Sequence, residues 1–494
     1  MLKGDSTLLI PILLPMLAGG FLYLCPWIKG RKRETIYAFM IVFITLVSSF
    51  FFAHSGHELI LFELMDGVNI YFKIDKLGRM FLLLTEFMWL LSANYSEVYL
   101  KHEEHTKRYN MFFLISLGSV LGISCAGNMI TMYLFYEWMA LSLVALVLHT
   151  QTVDAIGAGL KFLFYSIAGA LMGFAGIAVL AQFTRNPSMD FQAGGFLDGD
   201  LLAGHETFLL IMTLFMILGF GCKAGMFPLH GWLPTAHPVA PAPASAILSG
   251  NVTKTGILAV MRVVYYGVGV DFIKNTWVQT TWIILALITI FMGSMLAYKE
   301  PDLKKRLAYS TISNLSYIML GLALCHPIAM MGALMHVVFH SIAKNTLFLT
   351  AGSMIYRTGK HRVEELVGIG KRMPVTMWGY VMASLTLIGI PPTSAFLSKW
   401  FLAQGAMESQ IFGIWWIAPV ILLLSALLTA GYLLPIAMKA FFPGNTVDYG
   451  TYTKKDVALA MKEPVVLCAV LGVLFGLYPK PFMDLLEAII WEVF

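Results

Sequence analysis

Charge is scarce in this sequence. Asp, Glu, Lys and Arg make up 12% of its 494 residues, against about 25% in soluble domains, which excludes a water-soluble globular class. Clustered cysteine is missing as well. Cys25, Cys125, Cys222, Cys325 and Cys468 stand singly in separate apolar runs, and no CxxC occurs. A metal site or an iron–sulfur cluster needs several thiolates or imidazoles converging at short spacing, so the chain offers no readable redox centre and no cofactor is expected. The net charge is +5, but the basic residues fall between apolar runs and form no continuous face, which excludes a nucleic-acid partner. A cleavable leader is not evident either: the first apolar run, Leu8 to Ile28, is followed by Lys29, Arg31, Lys32 and Arg33 and reads as a retained span.

What the chain has in abundance is apolar length. Hydrophobic residues make up 58% of it and the mean hydropathy is +0.76. Recurring apolar runs of about 20 residues predict an all-α polytopic membrane protein with about fourteen transmembrane helices. They fall near 8–28, 36–54, 77–98, 110–127, 129–150, 157–183, 205–225, 242–265, 277–297, 306–325, 329–356, 374–405 with a break, 411–441 and 464–490. Between the second and third, His57 to Asp75 alternates as a short hairpin. Basic residues concentrate in alternate loops: Lys29–Arg33, Lys101/Lys107/Arg108, Lys299/Lys304/Lys305/Arg306, Arg357/Lys360/Arg362/Lys371/Arg372 and Lys439/Lys454/Lys455/Lys462. The loops between them are neutral or acidic, so the positive-inside rule puts both termini on the outer face.

Proline interrupts this pattern twice. Residues 217–257 enter as an apolar helix, meet Lys223, run through Pro228, Pro234, Pro238, Pro241 and Pro243, then resume as helix with Lys254. Proline at that density removes backbone donors and stops a continuous helix. Non-helical backbone at membrane depth has to be buried in protein or line a hydrated cavity. A second break, GIPPTSAFLSK, has Pro391 and Pro392 followed by Lys399. The two breaks lie five spans apart, an odd number, which predicts inverted five-helix repeats over 106–270 and 276–442, flanked by 1–105 and 443–494.

An ionisable residue within a span costs about 2.5–3.5 kcal/mol, so a single one proves little. Here Glu137, Lys161, Lys223, Lys254, His336, His340, Lys344 and Lys399 recur in successive spans, which is the layout of an ion path. Lys223 is the natural partner for Glu137; about 5 Å apart at an effective dielectric of about 20, the pair would gain roughly 3 kcal/mol. Changing that pairing would make the lysine a switchable proton carrier. His336, His340 and Lys344 are four apart and share one helix face, as a relay requires. They lack the Glu of HExxH and a third ligand, so metal binding is not expected. His230 and His237 lie in the first break, where they could hydrogen-bond freed carbonyls or relay protons. Glu86 stands alone in the third span without an assigned role.

The segments FYEWMALSL, GLKFLFYSIAGA, KAGMFPLHGWLPTAHPVAPAPASAIL, VTKTGILAVMR, DLKKRLAYSTISNLSYIMLG, MHVVFHSIAKNTLFLTAG and GIPPTSAFLSKW resemble the antiporter-like proton-channel subunits of respiratory complex I. They are equally similar to those of Mrp Na+/H+ antiporters and of membrane-bound energy-converting hydrogenases. The resemblance, from about Asp75 to Lys399, implies fourteen helices, discontinuous helices 7 and 12, and a hydrated charged axis at the membrane midplane. By motif it implies that Glu137 pairs with Lys223, that Lys161 modulates the pair and that Lys254 is the central lysine. His336, His340 and Lys344 match the relay, and Lys399 the exit residue. Asn314 departs from members with histidine there, so a stepping stone is missing. The implied function is proton translocation by a subunit of a multisubunit complex in the inner (plasma) membrane, with other membrane subunits as partners. A Na+/H+ antiport subunit is the alternative. A redox or quinone-processing subunit and a purely structural one are the remaining rivals.

Overall fold

A computed structural model describes residues 3–54, 56–413, 415–444 and 456–494. Lys454 and Lys455, counted above among the inner-face basic residues, lie outside the described residues. The chain is mostly helical. Its main helices are α1 (Leu9–Leu24), α2 (Arg31–Phe52), α3 (Lys76–Tyr99), α4 (Thr106–Ser124), α5 (Met129–Val147) and α6 (Val153–Leu180). Then come α7 (Glu206–Gly221), α8 (Leu233–Val239) and α9 (Ala242–Val268). The second half holds α10 (Trp277–Lys299), α11 (Leu303–Ala323), α12 (Pro327–Thr358), α13 (Pro374–Ile388), α14 (Ser394–Ser409), α15 (Ile417–Phe441), α16 (Leu459–Leu477) and α17 (Lys480–Val493).

Among the described residues, nine helices are long and apolar enough to cross a membrane. Of the others, α3, α4 and α11 match them in length at 24, 19 and 21 residues but trade apolar positions for Ser, Thr, Asn and Tyr. Side-chain caps start several helices: Asn128 accepts from Thr131 N at 2.8 Å to open α5, and Asp302 from Lys305 N at 2.8 Å to open α11. Each satisfies a backbone donor that the first helical turn leaves free.

Two helices form the axis of the molecule. The apolar stretch of α9 is buried along its whole length, whereas that of α16 is 28% buried. The other axial helix, α12, is buried from Ala329 to Met354. Inside α9 the winding widens to π-type turns at Leu248–Val252 and Arg262–Val268. Such turns shift the backbone bonding register and are frequent at functional sites.

At one face, β1 (Lys3–Gly4), β2 (Glu58–Met65) and β3 (Val68–Lys73) form an antiparallel sheet in that order. The expected hairpin is there, joined by a third strand from the start of the chain. The last helix returns to the same face, where Lys76 Nζ lies 2.7 Å from the Glu492 carboxylate and donates to Ala488 O at 3.2 Å. The two ends of the described chain therefore meet on one side.

The final stretch departs from the single span expected over 464–490. Pro479 cannot donate to the preceding turn, so α16 stops at Leu477 and α17 begins at Lys480. The second piece is amphipathic: Leu486, Ile489, Ile490 and Val493 face inward while Lys480, Asp484 and Glu487 are exposed.

Candidate functional site

The first break follows α7. Its backbone turns through Gly225 at φ +70°, a conformation that favours glycine. Side chains satisfy the polar groups freed there. Trp232 Nε1 donates to Cys222 O at 2.9 Å, and Thr289 Oγ1 of α10 accepts from Phe227 N at 3.0 Å. That is what irregular backbone at membrane depth requires.

Lys223, 1% exposed, lies two residues past the end of this helix and reaches α6. Its ammonium donates to Ser166 Oγ at 2.6 Å and lies 4.1 Å from the centre of the Phe162 ring, so a hydroxyl and a π face hold the charge. The close approach of α6 depends on glycine: a Cβ on Gly169 would stand 2.5 Å from Gly219 O. Gly256 does the same for α9, since a Cβ there would meet Lys223 Cβ at 2.9 Å.

Glu137 is half-buried on α5 and accepts from Tyr133 OH at 3.2 Å. Among the described residues it makes no ion pair with Lys223, whose ammonium is engaged by α6. Lys161, also on α6, borders the break: its Cε lies 3.7 Å from where a Cβ on Gly231 would stand. The His230 ring stacks on Phe227 with 5.9 Å between centroids.

Lys254 and Lys344 approach each other through residues of α9 and α11. Lys254 Nζ donates to Ser249 O at 2.5 Å, across the first wide turn of α9. Ser249 Oγ lies 2.8 Å from Thr311 Oγ1 of α11, and Thr311 donates to Leu307 O at 2.9 Å. The same carbonyl accepts from Lys344 Nζ at 3.0 Å. His237 stacks on Phe348 of α12 at 4.6 Å, and neither of its ring nitrogens has a partner among the described residues. Asn314 Nδ2 bonds back to Ser310 O at 2.9 Å.

Toward the second break, the rings of His340 and His336 lie 5.8 Å apart. His336 Nδ1 is 2.9 Å from Ser398 Oγ, and its ring stacks on Tyr317 at 5.4 Å. Lys399 Nζ stands 5.1 Å over the same tyrosine and donates to Leu387 O and Ile388 O at 2.7 and 2.9 Å. A lysine thus closes the free carbonyl end of α13.

Sequence reasoning missed the matching lysine at the first break. Lys304, read as a loop residue, is the second residue of α11, 5% exposed, and donates to Ala240 O at 2.6 Å and Pro238 O at 3.4 Å. It closes the carbonyl end of α8. Asp302, a helix-starting cap just ahead of it, was the available signal.

The architecture defines a class: a helical membrane protein with two interrupted helices, each closed by a lysine, and a row of amines and imidazoles between them. The chain belongs to the NADH:quinone oxidoreductase/Mrp antiporter transmembrane family, whose profile matches residues 126–443. It is 33% identical over 374 residues to NADH-quinone oxidoreductase subunit N of Desulforudis audaxviator, covering 75% of this chain and 72% of that protein. It is 31% identical over 356 residues to Hydrogenase-4 component B of Escherichia coli, covering 69% of this chain and 51% of that protein. The match therefore spans about half the length of the latter. A chain of the Mrp complex from Dietzia sp. shares the fold, with a TM-score of 0.84 at 21% identity over 99% of this chain and 97% of that one. The chain is an antiporter-like membrane subunit of this family.

Proposed function

We propose that this chain translocates protons as one membrane subunit of a multisubunit ion-pumping complex. In this reading it spans the plasma membrane fourteen times with both termini outside, and residues 106–270 and 276–442 form inverted repeats around helices 7 and 12. Protons enter near Glu137, Lys161 and Lys223, pass Lys254, Lys344, His340 and His336, and leave at Lys399. His230 and His237 border the route. The observation that carries the reading is the bonded row from Lys254 through Thr311 to Lys344, with the two histidines of α12 leading on to Lys399. Amines and imidazoles exchange protons readily, whereas a hard cation such as Na+ wants a cage of oxygen ligands. Partner subunits of the kind in which its relatives occur, NADH-quinone oxidoreductase, hydrogenase-4 or Mrp antiporter, supply the driving force.

The test is proton pumping into sealed vesicles by the whole complex carrying Lys223→Ala, with assembly checked by copurification of the partners. An assembled complex that pumps at least tenfold more slowly supports the path. Unchanged pumping would overturn it in favour of a scaffold.

A further inference from the structure

Two furrows of about 640 Å³ each run along the exposed side of α16, one against α13 and one against α3. Val375 of α13 and Val466 and Val470 of α16 line both, so the furrows meet at a valine ridge. Val466 and Val470 are 44% and 56% exposed. The furrow against α13 is lined by apolar residues alone, from Pro374 and Trp378 to Leu474 and Leu477. Its floor is closed where Gly379 lets α13 meet the buried Val465. The furrow against α3 has one polar end, formed by Asn94, Lys462 and Glu463. Asn94 Nδ2 donates to the Glu463 carboxylate at 3.1 Å, and Lys462 makes no ion pair among the described residues.

The shape selects the occupant. The two furrows follow α16 over Val466–Leu477 and Leu459–Val470, about 17 Å each at 1.5 Å per residue. That is close to the depth of one leaflet, half of a hydrocarbon core about 30 Å thick. A spanning helix of a partner subunit needs one groove over the full core, and a ridge between two furrows does not seat it. Two acyl chains on one headgroup do straddle such a ridge. The charge narrows the choice further. Lys462 and Glu463 are the fourth and fifth residues of an otherwise apolar helix, and charges there belong at headgroup depth. An ammonium binds phosphate as a charge-assisted hydrogen bond, and a carboxylate binds an ammonium in the same way. Asp456, which accepts from Val375 N at 2.9 Å, adds a second carboxylate beside the ridge and disfavours a purely anionic headgroup. A quaternary ammonium has no N–H to offer either carboxylate.

We infer that this ridge is a phospholipid site: one diacyl lipid straddles it with a chain in each furrow, its phosphate on Lys462 and its primary ammonium on Glu463. The occupant is an aminophospholipid of the phosphatidylethanolamine type. Bound there, it packs α16, whose apolar stretch is 28% buried, onto α13 and α3. The inference stands on the shape and charge of this face and is independent of the proton path proposed above.

The probe is phosphatidylethanolamine with a diazirine in one acyl chain, present as a minor component of phosphatidylcholine vesicles that hold the assembled complex. After irradiation, peptide mapping should place adducts on Met382, Val470 and Leu474 well above the level on α15, whose apolar stretch is 33% buried and reports contact with bulk lipid. Unlabelled phosphatidylethanolamine should compete these adducts away, and phosphatidylglycerol should not. Lys462→Gln combined with Glu463→Gln should cut labelling of the furrows by about tenfold, the loss of about one charge-assisted hydrogen bond. Val470→Trp fills the ridge flanks and gives the same reading if the double variant fails to assemble. Labelling equal to that of α15 and indifferent to these changes would mean bulk lipid only and overturns the site. Furrows left unlabelled in the assembled complex would mean that a partner subunit covers them, which also overturns it, and stronger competition by phosphatidylglycerol overturns the headgroup assignment.

Discussion

Lys254 and Lys344 sit on different helices, and the Thr311 hydroxyl lies between the two residues, Ser249 and Leu307, whose carbonyls their amines bond. Lys254 donates to Ser249 O, Ser249 Oγ meets Thr311 Oγ1 at 2.8 Å, and Thr311 and Lys344 both donate to Leu307 O. Thr311→Val replaces the bridging hydroxyl with a methyl of similar volume, which unlinks the lysines without opening a cavity. A hydrogen bond contributes about 0.5–1.5 kcal/mol net, and about 1.4 kcal/mol is tenfold in rate. Pumping by the assembled Thr311→Val complex should fall roughly tenfold, and Thr311→Ser should keep most of the rate. Equal rates for the two variants would show that protons do not cross at this bridge.

The Lys223 ammonium is bonded to Ser166 at 2.6 Å and lies 4.1 Å from the Phe162 ring, with no ion pair to Glu137 among the described residues, so hydroxyl, ring and carboxylate compete for one ammonium. Ser166→Ala removes the hydroxyl and leaves the ring. We expect the lysine to spend more time toward Glu137 and pumping to drop by about three- to tenfold, in line with the loss of about one hydrogen bond. Glu137→Gln combined with Ser166→Ala should be no worse than Glu137→Gln alone. Initial pumping rates of the three assembled variants decide this, and additive losses would refute the competition.

The two proline breaks and the recurring lysines were legible because each violates a strong rule: proline stops a helix, and a charge inside a span is costly. Three features were not. The wide turns of α9 carry no sequence marker, since Leu248–Val252 and Arg262–Val268 read as ordinary helix. Lys304 looked like one more inner-face cation because the loop ahead of it is short and charged, yet it closes α8. Glu137 and Lys223 were expected to pair because Glu137 has no local basic partner and both belong to the first half; which side chains compete for the ammonium depends on how α6 packs, and that depends on where Gly169 meets Gly219. The stop before Pro479 was readable from YPKP, but the apolar run on either side hid it.

The contact of α6 with α7 yields a stability contrast on one helix. A Cβ on Gly169 would lie 2.5 Å from Gly219 O, whereas a Cβ on Gly157 meets nothing within 4 Å. Gly169→Ala therefore forces two backbones apart, at about 1–3 kcal/mol for overpacking. Gly157→Ala carries no clash and gains helix propensity of up to about 1 kcal/mol. Thermal melts of the purified complex should show Gly169→Ala lowered by several degrees and Gly157→Ala unchanged or raised. A Gly169→Ala melt equal to wild type would mean that the helices do not touch there.

Asp75 joins the sheet face to α9 and gives the fold a defined response to acid. Its side chain caps α3 by accepting from Gly78 N at 2.7 Å and takes both terminal nitrogens of Arg262, one of them at 2.8 Å. Arg262 is 1% exposed. Burial by itself would raise the Asp75 carboxyl, but the Arg262 guanidinium and the hydrogen bonds outweigh it and hold the group below the usual carboxylate range. A carboxyl lowered by folding binds fewer protons in the native state than in the unfolded one. Its stabilisation is therefore complete above the unfolded value of about 3.9 and is lost as the pH falls through the lower folded value. Asp75→Asn leaves the guanidinium buried and unpaired, at about 3–5 kcal/mol. At pH 7 the variant should melt well below wild type, and the gap should narrow as the pH is taken from 5 toward 2 because wild type loses the same interaction. Melting curves across that range test this, and a gap independent of pH would show that the charge pair is not what the substitution removes, since asparagine keeps the cap.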